Sequence, residues 1–247
     1  MTKQEAAIKY ITENYLDYRR LRHDIVSDKL QIRMDLEETK GERLEVKGRE
    51  YWREMTKHDI NSIVCHCAQE YDANITSREV MTALQSDLIP DVHPLREYVL
   101  SCGEWTEEQP DWIDWVAQQV TVKPLGDEAK GDKARGEGLW RGYFKKWFVA
   151  MVASWMKDEV VNHQVLVLIG KQGIFKTTWL EHLIPPHLRA YACKLANSND
   201  LNKDERLRIA EFGLISLDEI DSMNNRELNQ LKSVITATDV NERAAYA

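Results

Sequence analysis

Apolar side chains return every three or four residues from Trp140 to Met156, at Trp140, Tyr143, Phe144, Trp147, Phe148, Met151, Val152, Trp155 and Met156. That spacing draws a stripe along a helix of about four turns, and so aromatic a stripe predicts a buried core face. Near the N-terminus, Ala7, Ile8, Ile11, Tyr15 and Leu16 keep helical spacing. Leu21, Ile25, Val26, Leu30 and Ile32, set around the polar Ser27-Asp28-Lys29, then predict a hairpin. Between residues 50 and 103 the apolar groups are shorter. Ile60, Ile63, Val64 and Cys67 share one face, and Val80, Met81 and Leu84 a second, behind Thr76-Ser77 with Glu79 placed to close a capping box. Leu95, Tyr98 and Val99 form a third group after Pro90 and Pro94. These groups predict short helices, compatible with plain helical packing or with a winged-helix-like unit.

Two apolar runs break the helical period. Residues 165–169 (VLVLI) are uninterrupted and short, as a strand buried on both faces of a parallel sheet would be, and residues 212–217 (FGLISL) are another apolar, strand-like run. Residues 126–142 are largely polar and hold five glycines, which predicts a flexible linker over 126–138 and a domain boundary there. From Glu104 to Val122 there are five acids and no base, with Trp105, Trp112 and Trp115 among them. The three-residue step from Trp112 to Trp115 predicts that they anchor a helix to its own domain, although acidic aromatic segments also dock partners.

Composition narrows the classes. The 247 residues carry a formal charge of −8, so the chain cannot coat nucleic acid indiscriminately, and any such contact needs a local basic patch or a ring of subunits. No apolar run reaches the length of a membrane span, and the N-terminus lacks the apolar core of a signal peptide. The four cysteines, Cys65, Cys67, Cys102 and Cys193, are too scattered for a disulfide framework, and the expectation is reduced thiols in a cytoplasm. Cys65-His66-Cys67 is too tightly spaced for a zinc half-site.

The chemistry gathers after residue 165. The first apolar run leads directly into Gly170, Lys171, Gln172, Gly173, Ile174, Phe175, Lys176, Thr177 and Thr178, and then into a helix-like stretch that stops at Pro185-Pro186. A strand, a glycine-bearing loop, Lys-Thr and a helix form the context of a phosphate-binding loop, whose backbone N–H groups turn inward around a triphosphate. Lys176 would reach the β- and γ-phosphates of ATP, and the Thr177 hydroxyl would ligate Mg²⁺. Phe175 stands where the pattern G-x-x-x-x-G-K-[ST] has its second glycine, with Gly173 placed to take over part of the turn. The second run ends in Asp218-Glu219, where Asp218 would hold Mg²⁺ through water and Glu219 would orient and deprotonate the attacking water. The 42 residues from Lys176 to Asp218 leave room for a helix and an intervening strand. Beyond Asp221, Leu228, Leu231, Val234 and Ile235 predict one more amphipathic helix, with Arg226 and Lys232 off its apolar face.

The segments VLVLIGKQGIFKTTWLEHLIP, FGLISLDEIDSM and LNQLKSVITATDVNERAAYA together resemble the ATPase domain of the virulence-associated E (VirE-like) family. These are primase-helicase-related proteins of phages, plasmids and integrated elements, akin to superfamily-three helicases and AAA+ ATPases. Upstream, HPLREYVLS and DWIDWVAQQV also resemble the family, so that the likeness runs over roughly residues 50–247. The resemblance implies nucleotide and Mg²⁺ roles for Gly170, Gly173, Lys176, Thr177, Asp218 and Glu219, and a family motif at Arg243 and Tyr246. It also implies an ATPase that continues past Ala247 and is therefore truncated here, with little hydrolysis of its own.

The expected fold is an α/β P-loop NTPase, an incomplete AAA+-like parallel sheet with flanking helices, preceded by a mostly helical N-terminal domain. The expected divisions are 1–45 (helix and hairpin), 46–125 (helical), 126–138 (linker) and 139–247 (ATPase). The expected function is a mobile-element DNA helicase or primase-helicase. It would use ATP and Mg²⁺ to move single-stranded or forked DNA through a homo-oligomeric, hexameric ring, without a membrane. The competing expectations are a nucleotide-gated switch or assembly protein without unwinding activity, and a small-molecule kinase.

Overall fold

Thr2 caps the first helix, α1 (Lys3–Ile11): its hydroxyl accepts from Glu5 N–H at 3.2 Å, and the Glu5 carboxylate accepts from Thr2 N–H at 2.7 Å. This reciprocal pair satisfies two backbone donors that the first helical turn leaves over. The computed structural model describes residues 1–34, 51–71, 74–123, 132–195, 211–217 and 224–236. The chain forms two compact units, Met1–Pro94 and Leu95–Ala247. The division falls after Pro94, upstream of the glycine-rich stretch.

In the first unit, α1 runs on through a wider π-type turn (Thr12–Leu16) into β1 (Leu21–Asp24) and β2 (Lys29–Met34), which pair antiparallel. Asp24 fixes the turn between them. Its carboxylate is fully buried and accepts from Val26 N–H at 3.0 Å, Ser27 Oγ at 2.6 Å and Gln31 Nε2 at 3.1 Å. Two further strands were not read from the sequence: β3 (Tyr51–Glu54), antiparallel to β2, and β4 (Asp91–Val92), parallel to β1. The sheet order is β3-β2-β1-β4. Helices α2 (Lys57–Tyr71) and α3 (Ser77–Leu84) complete the unit, α3 starting on the Thr76–Glu79 capping box. Ala7, Ile11, Leu21, Ile63, Cys67, Val80 and Leu84 form the core. Cys67 is buried on α2 and Cys65 is exposed, and no group of His, Cys, Asp and Glu among the described residues could hold a metal.

The second unit opens on α4 (Pro94–Ser101) and α5 (Trp112–Gln118) and is built around α6 (Lys133–Met156). Asp132 caps α6, its carboxylate accepting from Arg135 N–H at 2.9 Å. Residues 133–138, read as the end of a linker, are therefore helical in spite of Gly136 and Gly138, while 124–131 lie outside the described residues. Phe144, Trp147, Met151 and Trp155 are buried along α6, whereas Tyr143, which shares the stripe by spacing, is exposed. After α6 come α7 (Lys176–Glu181), a 3₁₀ turn (Pro186–Tyr191), β5 (Ala192–Leu195), β6 (Leu214–Leu217) and α8 (Asn225–Thr236). Strands β5 and β6 pair in parallel, Ala192 opposite Leu214 and Lys194 opposite Ser216. No helix among the described residues is long and apolar enough to cross a membrane.

In the first unit the Arg53 guanidinium and Asp59 carboxylate meet twice at 2.7 Å, and Thr56 N–H also donates to Asp59 at 2.7 Å. These bonds, Arg53 first, hold the Asp59 carboxyl well below the usual carboxylate range. A carboxylate so depressed stabilises the fold fully above its unfolded value, about 4, and loses that contribution as pH falls further. Asp59→Asn should cost about 1–3 kcal/mol at pH 7 by leaving a half-buried guanidinium short of its partner. Urea unfolding should show the gap to wild type narrowing below about pH 4; a gap independent of pH would refute the ion-pair assignment.

Candidate functional site

Helix α7 begins where the chain turns twice through left-handed backbone. Gly173 has φ 80° and Phe175, the residue capping α7, has φ 60° and ψ 24°. A phenylalanine pays roughly 1–2 kcal/mol for that conformation, which glycine adopts freely. The fold does not recover this by burying the ring, because Phe175 is 77% exposed. Phe175 thus holds a turn of the kind that glycine adopts freely, with its side chain directed to solvent. Gly170 gives room on the other side: a Cβ there would stand 2.8 Å from Ile174 Cδ1.

Inside this turn Lys176 folds back over the loop. Its ammonium donates to the carbonyl oxygens of Gly170 at 3.0 Å and Lys171 at 2.9 Å. The first N–H to close a helical bond is that of Trp179, onto Phe175 O at 2.9 Å. The N–H groups of Lys176, Thr177 and Thr178 therefore precede every intrahelical acceptor, as the first donors of any helix do. Lys176 and Thr177 are half-buried, while Lys171, Gln172, Gly173 and Thr178 are exposed. A cation, the first backbone donors of a helix and a hydroxyl residue suit a polyphosphate chemically.

Aromatic packing fixes where this loop sits. The Trp179 ring of α7 lies 5.4 Å from Phe144 and 6.1 Å from Trp140 between centroids, and Trp140 Nε1 donates to Ala117 O of α5 at 2.9 Å. At the other end of α6, Trp155 Nε1 donates to Gly213 O at 3.0 Å, just before β6. One helix thus carries both the loop at 170–178 and the strand that leads to Asp218-Glu219. Those two residues, with Arg243 and Tyr246, lie outside the described residues.

Two readings of the sequence need correction. Residues 165–169, expected as a strand buried on both faces, form no strand and join neither sheet among the described residues, and Val165, Val167 and Ile169 are 48%, 56% and 95% exposed. An apolar run is buried only where other chain covers both faces, and the described sheet of this unit is the β5–β6 pair alone. The tryptophans of the acidic segment do not anchor α5: Trp105, Trp112 and Trp115 are all more than half exposed, and Trp112 packs edge-on to Trp115. The anchors are polar. Asp114 takes both arms of Arg141, and Asp111 accepts from Lys145 at 2.6 Å, interactions that hold both carboxyls below their ordinary range.

Residues 132–247 match the family model of the virulence-associated protein E-like domain. The match begins at the Asp132 cap of α6 and takes in the loop, β5, β6 and α8; the upstream likeness over residues 50–131 lies outside it. No curated protein matches the chain.

The tie from α6 to β6 makes a separate demand at Gly213. A Cβ there would collide with the Leu95 side chain and stand 3.1 Å from Trp155 Nε1. Leu95 is 1% exposed and cannot step aside cheaply. Gly213→Ala should cost about 1–3 kcal/mol by overpacking, read as an earlier transition in urea followed by tryptophan fluorescence. An unchanged midpoint would mean that Leu95 is not packed against Gly213.

Proposed function

We propose that residues 132–247 form the ATP-binding and hydrolysing domain of a DNA helicase or primase-helicase of a mobile genetic element. The observation that carries this reading is the Lys176 ammonium held by the Gly170 and Lys171 carbonyls at the head of α7. The similarity of residues 132–247 to virulence-associated protein E-like domains supports the mobile-element context.

In this reading the loop binds the triphosphate of ATP. Lys176 leaves its two neutral carbonyls for the β- and γ-phosphates, and the N–H groups of Lys176, Thr177 and Thr178 meet phosphate oxygens. Thr177 and Asp218 would hold Mg²⁺, which neutralises charge on the phosphates when bound. Glu219 orients the attacking water and takes its proton. Hydrolysis between subunits of a homo-oligomeric ring would drive single-stranded or forked DNA, and the protein acts without a membrane. A second reading, a nucleotide-gated switch that docks a partner, draws support from the exposed Trp105, Trp112 and Trp115.

Calorimetry with Mg-ATP tests the loop. Lys176→Ala should weaken binding roughly 10- to 100-fold, the worth of charge-assisted hydrogen bonds. Phe175→Gly should bind at least as well as wild type, because glycine relieves the left-handed strain. Equal affinity in wild type and Lys176→Ala would remove the phosphate assignment. Hydrolysis stimulated by single-stranded DNA separates the helicase reading from the switch.

A further inference from the structure

A second place in the same unit is built for an anion. On one face of the β5–β6 pair, Lys194 stands opposite Ser216, and Leu214 forms an apolar floor one pleat away. These side chains, with Glu181 and His182 at the end of α7 and Arg189 of the 3₁₀ turn, line one cavity of about 180 Å³. Ser216 is 9% exposed, and its hydroxyl has no hydrogen-bond partner among the described residues. Its side chain lines the cavity, where the hydroxyl can donate to a ligand oxygen. Arg189 is exposed and its guanidinium makes no ion pair among the described residues, although Glu181 lines the same cavity. The His182 Nδ1 contact with Thr178 O, 2.7 Å, requires Nδ1–H, because a carbonyl only accepts.

We propose that this cavity binds a phosphate group. Arg189 offers a planar fork of N–H donors, Lys194 a point charge and Ser216 a hydroxyl donor, the three kinds of group that phosphate oxygens accept from. The volume falls below the roughly 300–1,000 Å³ of pockets that enclose a whole drug-sized ligand. It therefore admits one phosphate, either a free anion or one group of a larger chain whose remainder stays in solvent. Glu181 opposes the anion and limits its affinity. The site shares no residue with the loop at 170–178 and does not rest on the ATP reading.

The test uses the full chain, with inorganic phosphate by calorimetry and a fluorescein-labelled oligothymidylate by anisotropy at low salt. Arg189→Met should weaken phosphate binding about tenfold and Ser216→Ala about threefold, and added salt should weaken both. Glu181→Gln should tighten binding about threefold, a change of sign that misfolding cannot produce. Lys176→Ala should leave it unchanged. If phosphate displaces the oligothymidylate and Arg189→Met weakens both, the source is a nucleic-acid backbone. If the oligothymidylate ignores Arg189→Met, the source is a free anion. The proposal is overturned by absence of saturable phosphate binding in wild type. It is equally overturned by binding that Arg189→Met leaves intact, and phosphate binding lost only in Lys176→Ala would belong to the loop.

Discussion

The second unit depends on the aromatic ridge of α6. Phe144 is fully buried, and its ring lies within 6.0 Å, centroid to centroid, of Trp140, Trp147, Phe148 and Trp179. Large flat side chains in offset and tilted contact contribute both burial and directional attraction. Their polar edges then reach backbone acceptors: Trp140 Nε1 on α5 and Trp155 Nε1 at the start of β6. The flank of this ridge, about 100° round the helix, carries charge. Arg141 and Lys145 are spaced one turn apart and meet Asp114 and Asp111, also on neighbouring turns of chain. One helix therefore sets the positions of α5, α7 and β6, and the loop at 170–178 inherits its place from Trp179.

That scaffold explains how the loop accommodates a residue that its usual pattern excludes. The backbone at Phe175 must be left-handed for α7 to begin where Trp179 is anchored, and packing of Trp179 outweighs a strain of roughly 1–2 kcal/mol. The turn needs glycine's backbone, not its lack of a side chain, because the ring is 77% exposed. Gly173, with its own positive φ two residues earlier, shares the reversal.

How much of this was legible in the sequence follows from how local each signal is. The α6 stripe, the Thr76–Glu79 capping box and the turn at Ser27-Asp28 are written in residues a few positions apart, and each stands in the structure. β3 and β4 have four and two residues, too few to display a period, and exist through pairing with distant strands. Residues 165–169 misled for the converse reason: an apolar run states what could be buried, and the covering chain decides whether it is. Trp112 and Trp115 misled because spacing names a shared face without naming what the face meets. In the candidate site, the lysine and the turn at 170–178 could be read directly from the sequence. The cavity beside Ser216 could not, since its residues come from four elements and only the β5–β6 register brings Lys194 opposite Ser216.

Charge decides which cations of this acidic chain can serve a ligand. Arg141 and Lys145 sit on carboxylates, so their fields are largely cancelled at short range, and the same holds for Arg53 on Asp59 and Arg96 on Asp158. Lys176 is different. Its partners are two carbonyl oxygens, which orient the ammonium and leave its whole charge in place. Carboxylates in that role would have to be broken away before an anion could bind, at a cost comparable to what the anion returns. Neutral carbonyls are surrendered cheaply. With a net charge of −8, the chain repels polyanions at long range, so the proposed anion binding would rest on a few cations kept unneutralised at short range.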